Sequence, residues 1–171
     1  RFSTEAETLF SALKEVSKAS REKALNFVQG LKPIGGTAIN DAMAKTLKLR
    51  PKGSKRPFVV IFLTDGRPTV GITGEDQIVK NVKDVAGKTR VFCFGIGNDV
   101  NTHLLDKITE STRAFSQYVL PSEDIEVKVS QFYTKINEPV MADPDVVVSW
   151  EANLKQFYPA PLPDLFKGDQ L

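Results

Sequence analysis

Two apolar runs, FVVIFLT at residues 58–64 and RVFCFGI at 90–96, constrain this chain more than any other feature. Each is a continuous stretch of β-branched and aromatic residues, the texture of a strand covered on both faces in a parallel sheet. Between them Ile78, Val82 and Val85 recur at helical spacing, behind an acidic first turn at Glu75-Asp76 and ahead of a terminating Gly87. Strand, helix, strand at this spacing is a βαβ unit, whose crossover is right-handed.

The same alternation continues downstream. Asp99 is placed to cap a helix carrying Leu104, Leu105 and Ile108, and residues 114–120 read as a shorter strand. Pro121-Ser122-Glu123-Asp124 then opens a helix with Ile125, Val129, Phe132, Tyr133 and Ile136 on one stripe. Upstream, Ala24, Phe27, Val28 and Leu31 mark one helix, and Ile39, Ala42, Met43 and Leu47 another. The expected fold is α/β: an open, doubly wound, mostly parallel sheet with helices on both faces. Residues 7–13 fit either a short edge strand or a helical turn. After residue 139 the texture changes, with 145–150 reading as a strand and 158–163 as an extended proline-rich connection, so that 140–171 form a β-rich tail distinct from 1–139.

Composition narrows the function classes. The 23 basic and 21 acidic side chains leave a net charge of +2, which marks no nucleic-acid partner. The densest basic run, 48–56, is broken by Pro51 and Gly53 as a solvated connection would be. The single cysteine, Cys93, sits between apolar neighbours and reads as core, and the single histidine, His103, has no companion at zinc-ligand spacing. No stretch approaches the roughly 20 apolar residues of a membrane span.

In an open parallel sheet, ligands gather outside the carboxyl ends of the strands. Asp65 lies there, in the turn after the first run, and Thr37 follows Gly35-Gly36, which permit positive φ or a close approach to the backbone. A carboxylate and a hydroxyl are hard oxygen donors suited to a magnesium-type ion. Plainer roles suit the same residues: Thr37 as the cap of a helix beginning at Ala38, and Asp65-Gly66 as a simple turn. Gly95-Ile96-Gly97 matches part of a dinucleotide loop but lacks the third glycine.

Five segments in order, RFSTEAETLF, LKPIGGTAINDAM, FVVIFLTDGRPTVG, VFCFGIGNDVN and FYTKINEPV, resemble the von Willebrand factor A domain of the inter-α-trypsin inhibitor heavy chain family and its bacterial relatives. The resemblance covers residues 1–139, and FYPAPLPDLFKGDQL resembles the start of the β-sandwich-like region that follows that domain. It implies a metal-ion-dependent adhesion site (MIDAS), made in the family by a D-x-S-x-S loop after the first strand, a threonine and an aspartate. Thr37 matches the threonine and Asp65 the aspartate, while no D-x-S-x-S loop precedes them here. By the same resemblance the first strands are missing, these 171 residues are part of a longer protein, Arg1-Phe2-Ser3 ends the second strand, and residues 7–13 form an antiparallel edge strand. The strand at 58–64 then lacks a neighbour on one side.

The function so implied is divalent-metal-dependent adhesion. Magnesium, or manganese or calcium in its place, would bind weakly or not at all without the missing loop. Gly36, Gly66, Arg67, Thr69, Asn98 and Asp99 would surround the ion and tune the choice of a protein partner offering an acidic side chain. The location implied is extracellular or at a bacterial cell envelope. Two rivals stand beside this reading. One is a magnesium-dependent nucleotide or phosphoryl-transfer domain, against which stands the lack of a phosphate-cradling glycine loop or a Walker-type lysine. The other is a structural domain with a degenerate site, since one architecture hosts many functions.

Overall fold

The computed structural model describes residues 1–53, 58–137, 139–147, 162–166 and 169. In chain order the elements are α1 (Lys18–Gln29), α2 (Ile39–Leu47), β1 (Val59–Thr64), α3 (Glu75–Ala86), β2 (Arg90–Ile96), α4 (Thr102–Ser111), β3 (Ser116–Val119), α5 (Ile125–Asn137), β4 (Pro139–Met141) and β5 (Leu165–Phe166). They divide between two compact units, one of Arg1–Phe58 and Arg67–Thr89, the other of Val59–Gly66 and Arg90–Leu171.

The second unit holds a parallel sheet in the order β1-β2-β3. β2 is central and buried from Arg90 to Gly95, because it has a strand on each side and a helix over each face. Phe92 and Phe94 point one way, into a cluster with Phe132 of α5, Phe166 of β5 and the half-buried Phe115. Six ring pairs in this cluster meet edge to face with centroids 5.1–5.9 Å apart, the geometry in which aromatic pairs add about 0.5–1.5 kcal/mol beyond area burial. Val91, Cys93 and Gly95 point the other way, toward α4. There the Tyr118 hydroxyl donates to Asp106 Oδ1 at 2.6 Å and to the Thr102 carbonyl at 3.0 Å. Burial, followed by that hydrogen bond, pushes the Tyr118 phenol well above its ordinary pKa. Burial likewise pushes the Cys93 thiol up, as the core role expected for it requires.

Among the described residues β1 pairs with β2 alone, as a strand lacking a neighbour on one side should. Its burial departs from expectation: it alternates, burying Val60, Phe62 and Thr64 while Val59, Ile61 and Leu63 stay 43–47% exposed. The pleat turns those three toward a face that nothing among the described residues buries fully. Two further expectations shift. The α4 cap is Asn101, whose Oδ1 accepts from the Leu104 amide at 3.1 Å, and not Asp99; Val100 between them is buried, which delays the helix start by two residues. On α5 only Phe132 is buried, while Ile125, Val129 and Tyr133 are exposed.

The C-terminal segment is tied to this sheet. β4 and β5 pair antiparallel, and Asp164 receives a bidentate hydrogen bond from Arg90 at the start of β2, Nε to Oδ2 at 2.6 Å and Nη2 to Oδ1 at 3.0 Å. Residues 145–147 carry no regular structure, so the expected strand at 145–150 is absent where described; 148–150, like 158–161 of the proline-rich stretch and 54–57 of the basic run, lie outside the described residues.

In the first unit α2 buries Ile39, Ala42, Met43 and Leu47 as the spacing requires. α3 buries Ile78, Val82 and Ala86; Val85, expected on that face, is exposed. The two helices pack together, joined by Asn81 Nδ2 donating to Asn40 Oδ1 at 2.8 Å. α1 is capped by a reciprocal Ser17–Ser20 box yet buries no residue. Residues 7–13 form neither strand nor helix, and the expected second-strand end is reduced to a single antiparallel bridge between Phe2 and Ala6. The carbonyl of Ala6 accepts from Lys45 Nζ at 2.6 Å, which draws this stretch toward α2 instead of into a ladder.

Candidate functional site

In the first unit the Gly35-Gly36-Thr37 loop is held by residues distant in sequence. The amide of Gly36 donates to Thr4 Oγ1 at 3.1 Å, that of Thr37 to Thr69 Oγ1 at 2.8 Å, and that of Ala38 to the Ser3 carbonyl at 2.8 Å. In return the Thr37 carbonyl accepts from the Thr69 amide at 3.0 Å and from Val70 at 3.4 Å. The glycines make these approaches possible. A Cβ on Gly36 would lie 2.5 Å from Val70 Cγ2 and 2.8 Å from Thr69 Oγ1, and one on Gly35, where φ is +83°, would collide with the Thr4 hydroxyl. Thr37 itself is half-buried, and its hydroxyl makes no hydrogen bond among the described residues. It is not a cap: the cap position is Ala38, without a side-chain bond.

In the second unit Asp65 and Gly66 follow β1, and Gly97, Asn98 and Asp99 follow β2. The parallel register pairs Thr64 with Gly95, so both turns leave from one carboxyl rim. The buried Thr64 staples the first turn, its Oγ1 accepting from the Gly66 amide at 3.3 Å. This leaves the Asp65 carboxylate exposed and without a hydrogen bond or ion pair among the described residues. Asn98 and Asp99 are exposed on the same rim, while Arg67 belongs to the first unit with Thr37 and Thr69.

Gly95-Ile96-Gly97 is not a phosphate loop. Gly95 makes room for a ring, since a Cβ there would lie 2.7 Å from Tyr118 Cδ1 and 2.8 Å from Val100 Cγ1. The Gly97 amide donates to the Val119 carbonyl at 2.9 Å.

Taken singly, Thr37 of the first unit and Asp65 of the second each suit a hard divalent cation in kind, being an alcohol and a carboxylate with no hydrogen-bond partner among the described residues. They do not suffice in number for a six-coordinate ion. Among the described residues no group of three or more His, Cys, Asp or Glu side chains is arranged to hold a metal. Thr4 and Thr64, which orient the two loops, were not singled out by the sequence. A hydroxyl within Thr-Asp-Gly is a local signal for Thr64, whereas nothing local points to Thr4.

A parallel sheet flanked on both faces by helices, with Thr-Asp-Gly at its carboxyl rim, defines an open doubly wound α/β domain. A family model described as von Willebrand factor type A domain matches residues 1–118, and the chain belongs to that family. It is 33% identical over 150 residues to inter-alpha-trypsin inhibitor heavy chain H4 of Homo sapiens, an alignment covering 82% of this chain but 16% of that protein. Among solved structures, a von Willebrand factor type A protein from Catenulispora acidiphila superposes with a TM-score of 0.66 at 20% identity, covering 77% of this chain and 30% of the other. Proximal thread matrix protein 1 from the mussel byssus, solved with a zinc-occupied MIDAS motif, superposes with a TM-score of 0.52 at 24% identity, covering 68% and 28%. No described helix is long and apolar enough to cross a membrane.

Proposed function

We propose that residues 1–171 belong to the divalent-metal-dependent protein-binding module of a larger extracellular protein, with the Thr37 hydroxyl and the Asp65 carboxylate as cation donors. One observation carries this reading: the three consecutive amides of residues 36–38 are all taken up by protein acceptors, while the Thr37 hydroxyl makes no hydrogen bond among the described residues. A phosphate-binding loop works the other way, presenting unpaired N–H groups to an anion. The arrangement therefore favours a cation over a nucleotide, and a binding module over a phosphoryl-transfer enzyme. Family membership and the zinc-bearing mussel protein of similar fold support the same choice.

A bound magnesium or manganese ion would supply a positive centre whose shell an acidic side chain of the protein partner completes. The exposed Arg67, Asn98 and Asp99, with Gly66, offer contacts that select that partner. With two donors, residues 1–171 alone bind the ion weakly or not at all. Extracellular placement is in keeping with the mussel byssus neighbour.

Calorimetric titration of Mg2+ and Mn2+ into a chain extended upstream of residue 1 tests the reading. Binding should be lost in Asp65→Ala and weakened in Thr37→Ala, with no binding of adenosine or guanosine triphosphate. Unchanged weak binding in both variants would establish a structural domain with a degenerate site instead.

A further inference from the structure

We propose that Thr69 is a positioning residue for Thr37, fixing the direction of its hydroxyl through the backbone without itself touching the cation; the inference rests on the cation-binding reading above. Thr69 brackets one residue from both sides. Its Oγ1 accepts the Thr37 amide at 2.8 Å and its own amide donates to the Thr37 carbonyl at 3.0 Å, with Val70 adding a second donor to that carbonyl at 3.4 Å.

Holding both polar groups of a residue restricts its φ and ψ, and so sets where its Cα–Cβ bond points. Gly36 is part of the same device. Any side chain there would meet the Thr69 hydroxyl and the Val70 methyl, so the glycine admits the clamp to the loop. The Thr69 hydroxyl oxygen thus holds the Thr37 amide in place as its acceptor.

Outer-sphere groups that orient a metal ligand typically change metal affinity about 10- to 100-fold when removed. The test uses the full-length protein and Mn2+ alone, with free ion followed by electron paramagnetic resonance. Thr37→Ala is measured first. The inference expects Thr37→Ala to weaken Mn2+ binding, Thr69→Val to weaken it about tenfold, and Thr69→Ser to stay within about twofold of wild type. Hydrogen exchange at the Thr37 amide should accelerate in Thr69→Val. The melting temperature should move by less than about 4 °C, as for the loss of one hydrogen bond in a domain of this size.

If Thr37→Ala leaves affinity unchanged, the cation reading fails and this inference with it. If Thr37→Ala weakens binding but Thr69→Val does not, the positioning role alone is overturned. It is overturned equally if Thr69→Ser loses as much affinity as Thr69→Val, because the hydroxyl is then not the agent. Thr69→Ala, which adds no bulk, takes the place of the valine variant should that variant not fold.

Discussion

Asp164→Ala removes the acid from a buried ion pair and tests whether the C-terminal segment is fastened to the parallel sheet. In the native structure Arg90 donates twice to the Asp164 carboxylate, whose Oδ1 also accepts the Asp143 amide at 3.0 Å. The two side chains are 10% and 7% exposed. Burial disfavours the charged guanidinium, but the hydrogen bonds that Arg90 donates to Asp164 and Asp143 outweigh it and hold the group above its ordinary pKa. Breaking a buried pair from one side costs about 3–5 kcal/mol, because a desolvated charge is left behind. Arg90 Nη2 keeps Asp143 at 2.5 Å, which moves the expected loss to the lower end, about 3 kcal/mol. That is a large share of the roughly 5–15 kcal/mol by which a domain is stable.

Urea unfolding followed by far- and near-ultraviolet circular dichroism measures the loss. The double variant Arg90→Met, Asp164→Leu should recover most of it, since an apolar pair leaves no orphaned charge. Arg90 opens β2 and the Asp65 turn lies by its other end, about 20 Å away at 3.3 Å per residue, so Mn2+ affinity of the folded variant should not change. A loss below about 0.5 kcal/mol, the scale of an ordinary surface substitution, would refute the claim that this pair fastens the segment.

Two more outcomes are expected. Burial raises Asp169, but hydrogen bonds from Lys135 Nζ at 2.6 Å and the Phe166 amide at 2.9 Å outweigh it and hold the carboxyl below its ordinary value. A depressed folded pKa gives stability that is present above about pH 4 and lost as pH falls through the lower folded value. Carboxyl titration by NMR should find that midpoint below 3.8, and a midpoint at or above it refutes the role given to these two hydrogen bonds. Gly95→Ala should destabilise the sheet unit by about 1–3 kcal/mol in the same urea assay, because its Cβ meets a Tyr118 ring anchored at Asp106. A neutral result would show that the ring can yield.

How much of this was readable in advance depended on distance along the chain. β2 has its expected bounds, and α3 begins at Glu75 and ends against Gly87, because side-chain texture and helix punctuation are local properties. Thr37 and Asp65 could be picked out by residue type and motif, since both sit in short turns whose chemistry is visible in a few letters. The alternating burial of β1 could not be foreseen, because an unbroken apolar run does not say which of its faces will be covered. Nor could the identity of the α4 cap, where two side chains able to cap stand two residues apart and the burial of Val100 decides between them.

The amino-acid order by itself determined the βαβ frame, the family, and the two oxygen donors offered as cation ligands. Only the tertiary structure decided what holds each of them. The clamp on Thr37 joins residues 32 positions apart, and the fastening of the C-terminal segment joins Arg90 to Asp164 across 74. Contacts of that kind leave no periodic trace in the sequence, because they depend on where the folded chain returns and not on what lies beside a residue along it.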